Sequence, residues 1–327
     1  MQLGLVFYYN FNFLLTGSCL LQEEISNIRN ASHLSAAVLK GFVVPKLEVV
    51  IDEEKKVSHA ELMESTEEVI TNPGKYVKLK PEDVDICYPP VFQSGGVFDL
   101  KPSAVSNEDP LYFDAMGVIL CAIGARFKSY CSNIARTIMI DADKTQEKAY
   151  KNLLKAHEAA IAALRPGNAM SAPYKAAFAV VESGAPEFLP YFTKNAGTGI
   201  GIEFRESGLT LNGKNDKVIK AGMVFNVSLG FHNLTTDSKN PKSKTFSLLL
   251  ADTAFVTERG APEVPTLRCS KTYTDIAYSF KDDEEEEVKV EPKPKVKAET
   301  NGSTEPAVRM ATLRSDNQEM TKEEVTF

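Results

Sequence analysis

The side chains able to act as a nucleophile or a general base are few and scattered in this chain. Cys131 and Ser228 are the candidate nucleophiles, and either would need a base within hydrogen-bond reach. The four histidines fall on predicted helices or just after a strand, and they are His33, His59, His157 and His232. No histidine-containing motif surrounds either candidate nucleophile. The sequence therefore predicts that both are buried core residues rather than catalytic ones.

Two glycine-containing stretches resemble the core motifs of the pita-bread peptidases, the family of methionine aminopeptidases, aminopeptidase P and creatinase. They are CAIGARFKSYCSNIART at residues 121–137 and KNAGTGIGIEFRE at residues 194–206. In that family two aspartates, one histidine and two glutamates hold two divalent ions, and their charge of about −4 balances the metals. The resemblance implies an α+β pita-bread fold, in which helices cover a curved antiparallel sheet.

All five metal-ligand positions of the family hold other residues here. The two aspartate positions, eleven residues apart as in the family, hold Ala122 and Asn133. The histidine position holds Thr198, and the glutamate positions hold Ser228 and Ala251. None of these side chains can neutralise a divalent cation, and Asn133 is at best a neutral oxygen donor. The resemblance therefore implies no bound metal, no cofactor and no peptidase activity.

A more specific resemblance is to the large subunits of the FACT histone chaperone, which carry an inactive pita-bread domain. The shared stretches are CYPPVFQSGG at 87–96, YCSN at 130–133 and GTGIGIEFRES at 197–207. The resemblance extends over roughly residues 22–325. It implies a nuclear, chromosome-associated component of a histone chaperone. Such a component reorganises nucleosomes during transcription elongation, DNA replication and DNA repair.

The same resemblance implies histones as partners, chiefly H3–H4 or their tails and possibly the dimer of histones 2A and 2B. The HMG-type small subunit of FACT is a further implied partner, through regions mostly absent here. A peptidase cleft can hold an extended basic peptide without cutting it. The candidate contact residues are Tyr130, Glu203, Arg205, Glu206, Phe231 and Asp252. The contact residues could instead be structural, with a Glu206–Arg205 or Asp252–Arg136 pair filling the vacated site. Two alternative functions stay open, a scaffold that docks other chromatin factors and a metallopeptidase.

Composition narrows the function classes. The chain has 327 residues, 43% of them hydrophobic, and a formal net charge of −7. That charge argues against direct nucleic-acid binding and fits a basic partner, although mild acidity is also a common solubility device. Five cysteines without a CxxC spacing indicate neither a disulfide framework nor a zinc knuckle.

The chain is predicted to have three parts. Residues 1–21 are apolar, lack Lys and Arg, and are short for a membrane span, so we expect a truncated or alternative start rather than an anchor. Residues 22–280 form the peptidase-like domain. Residues 281–327 are predicted to be a disordered linker that contains an acidic run and a segment rich in proline and lysine. Its acidic run at 282–287 is interpreted as solvated, with contact to basic histones as the alternative.

Hydrophobic periodicity and turn residues predict the elements. Helices are expected at 23–41, 59–70, 145–164 and 172–183, and strands within 111–140, 223–231 and 246–256. Residues 88–96, which contain two prolines and two glycines, are predicted to be a loop. Strands, then two helices, then strands indicate an α+β order rather than repeated βαβ units.

Overall fold

One mainly antiparallel sheet organises residues 22–280, the part of the chain that the computed structural model describes. Its strands are β1 (Val84–Gln93), β2 (Val118–Phe127), β3 (Tyr130–Cys131), β4 (Ile134–Ile140), β5 (Gly197–Gly199), β6 (Val224–Thr235), β7 (Thr245–Phe255) and β8 (Ala277–Tyr278). The order across the sheet is β1-β2-β4-β7-β6-β5, while β3 pairs with β2 and β8 runs parallel to β4. The predictions for residues 1–21 and 281–327 lie outside the described residues.

Helices cover this sheet. They are α1 (Gln22–Val38), α2 (Val44–Asp52), α3 (His59–Thr71), α4 (Lys144–Ala162), α5 (Ala172–Gly184), α6 (Pro241–Lys244) and α7 (Tyr273–Ile276). Short 3-10 turns lie at Pro73–Lys75, Pro81–Asp83, Pro186–Tyr191 and Pro265–Arg268. Within residues 22–280, no helix is both long and apolar enough to cross a membrane. The predicted pita-bread architecture is confirmed.

Two hydrophobic clusters hold the helices to the sheet. The first joins α4 and α5 to the β6–β7 half, with Tyr150 and Leu153 packed among residues such as Val227. The second joins α1, α2 and α3 to the β1–β2 half, where Leu34 and Ile123 are buried. Two helices therefore pack against the β6–β7 half of the sheet, and three pack against the β1–β2 half.

The helix start predicted at Ser58 is confirmed in its hydrogen bonds. Glu61 N–H donates to Ser58 Oγ at 3.1 Å, and Ser58 N–H donates to Glu61 Oε2 at 2.7 Å. This reciprocal pair satisfies two backbone donors that the first helical turn leaves without partners. Asp143 and Gln146 form the same capping box at the start of α4.

Three predicted boundaries were wrong. The first helix was predicted to end at residue 41, but helical structure continues past it through a π turn at Leu39–Val43 into α2. Pro45 does not stop the chain there, because proline is tolerated in the first turn of a helix. Residues 111–117 are not a strand, and β2 begins at Val118. Residues 88–93 are not a loop: β1 runs through them with register shifts between 86 and 91. β1 ends the sheet order and is irregular there, which is where prolines fit a strand.

Candidate functional site

The vacated positions, meaning Ala122, Asn133, Thr198, Ser228 and Ala251, come together on one face of the sheet. Ala122 of β2 lies opposite Ala135 of β4, and Ala135 lies opposite Ala251 of β7. Ala251 in turn lies opposite Ser228 of β6. Because directly paired residues point to the same face, these side chains form one row across four strands. Four strands thus present a row of small, uncharged side chains.

The other two vacated positions flank this row. Thr198 of β5 pairs with Asn226 of β6, which lies two residues from Ser228 and therefore on the same face. Gly197 has a φ of 118°, and a Cβ there would lie 1.8 Å from the carbonyl oxygen of Asn226. Only glycine fits so close an approach between β5 and β6. The framework glycine is therefore needed for backbone packing whether or not a metal is bound.

A hydrogen-bonded network of neutral side chains fills the space beside Asn133. The Tyr88 hydroxyl donates to Asn133 Oδ1 at 2.5 Å, and Asn133 Nδ2 donates to Asn226 Oδ1 at 3.0 Å. Asn133 N–H donates to Thr253 Oγ1 at 2.9 Å, and that hydroxyl donates back to the Asn133 carbonyl at 3.0 Å. The Tyr88 ring packs edge-on against Phe204, with centroids 5.1 Å apart. Every polar group named here has a neutral partner.

These residues do not fit the two metal ions that the peptidase family binds. A dinuclear site needs carboxylates to offset four positive charges, and the vacated positions supply methyl groups, hydroxyls and one amide. Among the described residues, no group of three or more His, Cys, Asp or Glu side chains is close enough to hold a metal ion. No step through a metal is therefore assigned to this face.

The opposite face of the sheet carries a buried ionic cluster around Asp252. Arg136 Nη2 lies 2.8 Å from Asp252 Oδ1, and Lys271 Nζ lies 2.9 Å from Oδ2. The exposed fractions of the Arg136, Lys271 and Asp252 side chains are 2%, 6% and 0%. Thr266 Oγ1 also donates to Asp252 Oδ1 at 2.7 Å. The predicted Asp252–Arg136 pair therefore exists, but it lies behind the vacated face rather than filling it.

His157 of α4 completes this ionic cluster as a neutral ring. Its Nε2 lies 3.1 Å from the Val227 carbonyl and so carries the proton, while its Nδ1 accepts from Lys271 Nζ at 3.0 Å. Burial and the Lys271 charge lower the pKa of His157 to about 3. Burial alone would raise the pKa of Asp252, but Arg136 and Lys271 hold it well below its usual range. One carboxylate is thus matched by two fixed cations inside the protein.

Four of the six candidate contact residues lie around one loop beyond β5. Glu203 and Arg205 are exposed and Glu206 is half-buried; with Ile202 and Phe204 they form what we call the acidic loop, residues 202–206. Tyr130 is half-buried and its hydroxyl donates to Glu24 Oε1 at 2.7 Å. The backbone joins the two places, because Cys131 N–H donates to the Gly201 carbonyl at 2.7 Å.

The remaining two candidates are not available to a ligand. Phe231 and Asp252 are fully buried, Phe231 between the rings of Phe188 and Phe192 and Asp252 in the ionic cluster. Alternation along a strand explains the misplacement: Asp252 follows Ala251 and so points to the opposite face. No ion pair between Glu206 and Arg205 occurs within residues 22–280, although the sequence allowed one.

The two glutamates of the acidic loop influence each other. Burial raises the pKa of Glu206, and the nearby charge of Glu203 raises it further. Two carboxylates so placed repel each other, and a cation between them would relieve that repulsion. The acidic loop is therefore electrostatically suited to a lysine or arginine side chain.

Sequence analysis found no sign of one hydrogen-bonded set, in which buried His59 and Ser94 meet exposed Asn107. His59 Nε2 lies 2.7 Å from Ser94 Oγ, and His59 Nδ1 lies 2.6 Å from Asn107 Oδ1. This is the connectivity of a nucleophile, a base and an orienting group, but Ser94 is buried and its Oγ already accepts the Tyr112 N–H at 2.8 Å. The set fastens the segment after β1 to the start of α3. No sequence signal marks it, because its members are far apart in the chain.

Comparison with known proteins agrees with this geometry. The profile described as Metallopeptidase family M24 matches residues 26–258. FACT complex subunit SPT16 of Zea mays is 59% identical over 303 residues, which cover 92% of this chain and 28% of that protein. SPT16 of Arabidopsis thaliana is 57% identical over 304 residues, again covering 28% of its length. The chain thus spans little more than a quarter of the curated relatives it matches.

Solved structures give the same result. The N-terminal domain of FACT complex subunit SPT16 from chickpea superposes with a TM-score of 0.78 at 59% identity, covering 80% of this chain and 61% of that one. X-Pro aminopeptidase from Thermotoga maritima superposes with a TM-score of 0.63 at 18% identity, covering 82% and 66%, and so shares the fold. The chain therefore belongs to metallopeptidase family M24, and it resembles the N-terminal domain of FACT complex subunit SPT16.

Proposed function

We propose that this chain is a non-catalytic peptidase-fold module of a FACT-type histone chaperone, and that it binds basic histone segments. The observation that carries the proposal is the replacement of a charged metal site by the neutral network of Tyr88, Asn133, Asn226 and Thr253. Without metal ligands this face lacks the Lewis acid and metal-bound water of the peptidases. Binding without cleavage is the function this arrangement supports best.

The acidic loop supplies the preference for a basic ligand. Exposed Glu203 lies beside half-buried Glu206, whose raised pKa reflects burial and the charge of Glu203. A lysine or arginine of a histone H3–H4 tail would offset the repulsion between the two carboxylates. Tyr130, held by its hydroxyl to Glu24, offers a ring beside the same loop.

The proposed setting follows from the relatives rather than from the site. Proteins named FACT complex subunit SPT16 match most of this chain. We infer that the chain acts in the nucleus on chromosomes, with H3–H4 as the main partner and the dimer of histones 2A and 2B as a further one. We also infer the HMG-type small subunit of FACT as a partner, through regions of the longer relatives that this chain does not match.

Charge reversal tests the proposal. Histone H3–H4, and the isolated tails, are titrated into the chain and into the double variant Glu203→Lys/Glu206→Lys by calorimetry at two salt concentrations. Binding should weaken about tenfold or more in the double variant, since two attractive contacts become repulsive. Binding by the parent chain should also fall with salt.

The matched control is Glu64→Lys/Glu68→Lys, which makes the same charge change on the exposed side of α3. Equal weakening in both double variants would indicate general electrostatics and contradict a specific role of the acidic loop. No binding by a folded parent chain would favour a scaffold that docks other factors. A parallel assay with X-Pro peptides and added Mn²⁺ should detect no hydrolysis, and turnover would contradict the non-catalytic assignment.

A further inference from the structure

A second groove lies between α4 and α5, on the side of the sheet that carries the ionic cluster. Its volume is about 520 Å³ and one wall is the exposed side of α4. Four lysines recur there at helical spacing, namely Lys144, Lys148, Lys151 and Lys155. Val180, Ser183 and Gly184 of α5 form the facing wall. We call this feature the lysine groove.

The positive charge of the lysine groove is only partly neutralised. Lys148 pairs with Glu187 and Lys151 pairs with Glu147. For Lys144 and Lys155, no ion pair occurs within residues 22–280. A row of exposed lysines alone is usually a solvated helix face. A second feature of the groove separates it from that ordinary case.

Asn152 lines the lysine groove, and one of its polar atoms lacks a hydrogen-bond partner within residues 22–280. The residue is 8% exposed, and its Oδ1 is buried with no hydrogen-bond partner among the described residues. A buried polar atom without a partner is destabilising, so such atoms are rare unless a ligand satisfies them. A Cβ at position 184 would lie 2.6 Å from Asn152 Nδ2. Glycine at 184 therefore lets the Asn152 amide pack closely against α5.

The unsatisfied atom selects the chemistry of the ligand. Oδ1 is an acceptor, so it needs a donor from the ligand, whereas nucleic-acid phosphates offer only acceptors at neutral pH. A peptide unit offers both an N–H and a C=O, which match the Oδ1 and Nδ2 of one asparagine. The four lysines span twelve residues of helix, or about 16 Å from first to last, and about five extended residues cover that distance.

We propose that the lysine groove binds an acidic peptide segment of a partner protein, with Asn152 pairing one of its peptide units. Carboxylates of the segment contact Lys144 and Lys155 at the two ends. This inference goes beyond the proposed binding of basic histone segments, because it concerns another surface and a ligand of opposite charge. Either can fail without the other.

The test measures binding of a short, fluorescently labelled peptide of alternating Glu and Gly by anisotropy. The protein is the whole chain with the acidic residues 282–287 replaced by their amides, so that it supplies no competing acidic run. Lys144→Glu/Lys155→Glu should weaken binding roughly tenfold. Asn152→Ala should weaken it roughly threefold to tenfold, the effect of losing hydrogen bonds to one peptide unit.

Two controls make the result decisive. Lys175→Glu reverses an exposed charge on α5 outside the lysine groove and should leave binding unchanged. Asn152→Ala should leave the thermal midpoint unchanged or higher, since it removes an unsatisfied polar group. Absence of peptide binding, equal loss with Lys175→Glu, or tighter binding of a DNA duplex than of the peptide would overturn the proposal.

Discussion

The two faces of the central sheet treat charge in opposite ways, although neighbouring residues of the same strand form them. On one face Ala251, Ala122 and Ser228 occupy positions where the peptidase family has carboxylates. On the other face Asp252 keeps its carboxylate fully buried. The first face presents neutral side chains at these positions, whereas the second holds a carboxylate with two cations, Arg136 and Lys271.

The difference shows that balance, rather than burial itself, decides which charges persist. An uncompensated ion in the protein interior costs several kcal/mol, so a buried carboxylate needs a fixed counter-charge. On the vacated face that counter-charge would be metal ions, and the neutral network of Tyr88, Asn133 and Asn226 needs none. On the other face the counter-charges belong to the chain itself. This face can therefore hold the fold whether or not any metal is bound.

The largest expected effect is the loss of balance on the ionic face. Asp252→Asn leaves Arg136 and Lys271 buried without a carboxylate and should lower the free energy of unfolding by about 3–5 kcal/mol. Urea denaturation measures the change. Ser228→Ala, a polar loss on the vacated face, should change stability by less than about 0.5 kcal/mol. Similar costs for the two variants would contradict the contrast between the faces.

Introducing the family's metal ligands and then adding metal ions should have the next largest effect on stability. The variant that carries all five family ligands combines Ala122→Asp, Asn133→Asp, Thr198→His, Ser228→Glu and Ala251→Glu. Crowded carboxylates should destabilise it in EDTA, and divalent metal at a hundred times its dissociation constant should return about 3 kcal/mol. Thermal unfolding with and without Mn²⁺ or Co²⁺ measures this. An equal metal response of the parent chain would show that its vacated face binds metal after all.

Stability should also depend on pH through His157. Its pKa is about 3 when folded and near 6.5 when unfolded, so the unfolded chain binds more protons between those values. Stability should therefore fall as the pH drops from 6.5 towards 3, by up to about 1.4 kcal/mol per pH unit. The lowered pKa of Asp252 adds a further loss below about pH 4. Denaturation curves across this range measure both contributions.

His157→Gln separates the two contributions to this pH dependence. The variant should lose less stability than the parent between pH 6.5 and 4.5, where His33 and His232, whose pKa values are also lowered, still contribute. It should keep the loss below pH 4. A slope between pH 6.5 and 4.5 equal to that of the parent would mean that His157 is not the titrating group.

A smaller effect is expected from breaking one hydrogen bond on the vacated face. Tyr88→Phe removes the hydroxyl that donates to Asn133 Oδ1 and should cost about 1 kcal/mol, the net value of one hydrogen bond. Chemical denaturation measures it, with Tyr76→Phe as a control on a tyrosine outside this network. A cost near that of Asp252→Asn would mean that the vacated face, not the ionic face, stabilises the sheet.

Sequence reasoning located the vacated face well because the framework motifs are local. The glycines near Thr198 and the pair Arg136–Thr137 place short segments in register with the family motifs. Strand pairing in the sheet then brings those segments side by side. Periodicity also found α3, α4 and α5, whose caps and apolar spacing lie within the helices. The strand through Pro89 and Pro90 was missed because its irregular pairing is set by its partner strand and not by its own residues.

Contacts between distant residues were beyond the reach of the sequence. Lys271 and His157 meet Asp252 only because α4 and the segment before α7 pack on the same face. Strand alternation alone could have shown that Asp252 faces away from the vacated positions, since Ala251, the residue before it, was already assigned to them. The hydrogen-bonded set of His59, Ser94 and Asn107 has no comparable local signal.

The central claim is that this M24 fold binds a basic histone segment without metal. Calorimetric titration of H3–H4 into the chain, once after EDTA treatment and once with added Mn²⁺, tests it most directly. We predict salt-sensitive binding of equal affinity in both titrations. Binding that appears only with Mn²⁺, or no binding by a chain shown to be folded, would contradict the claim.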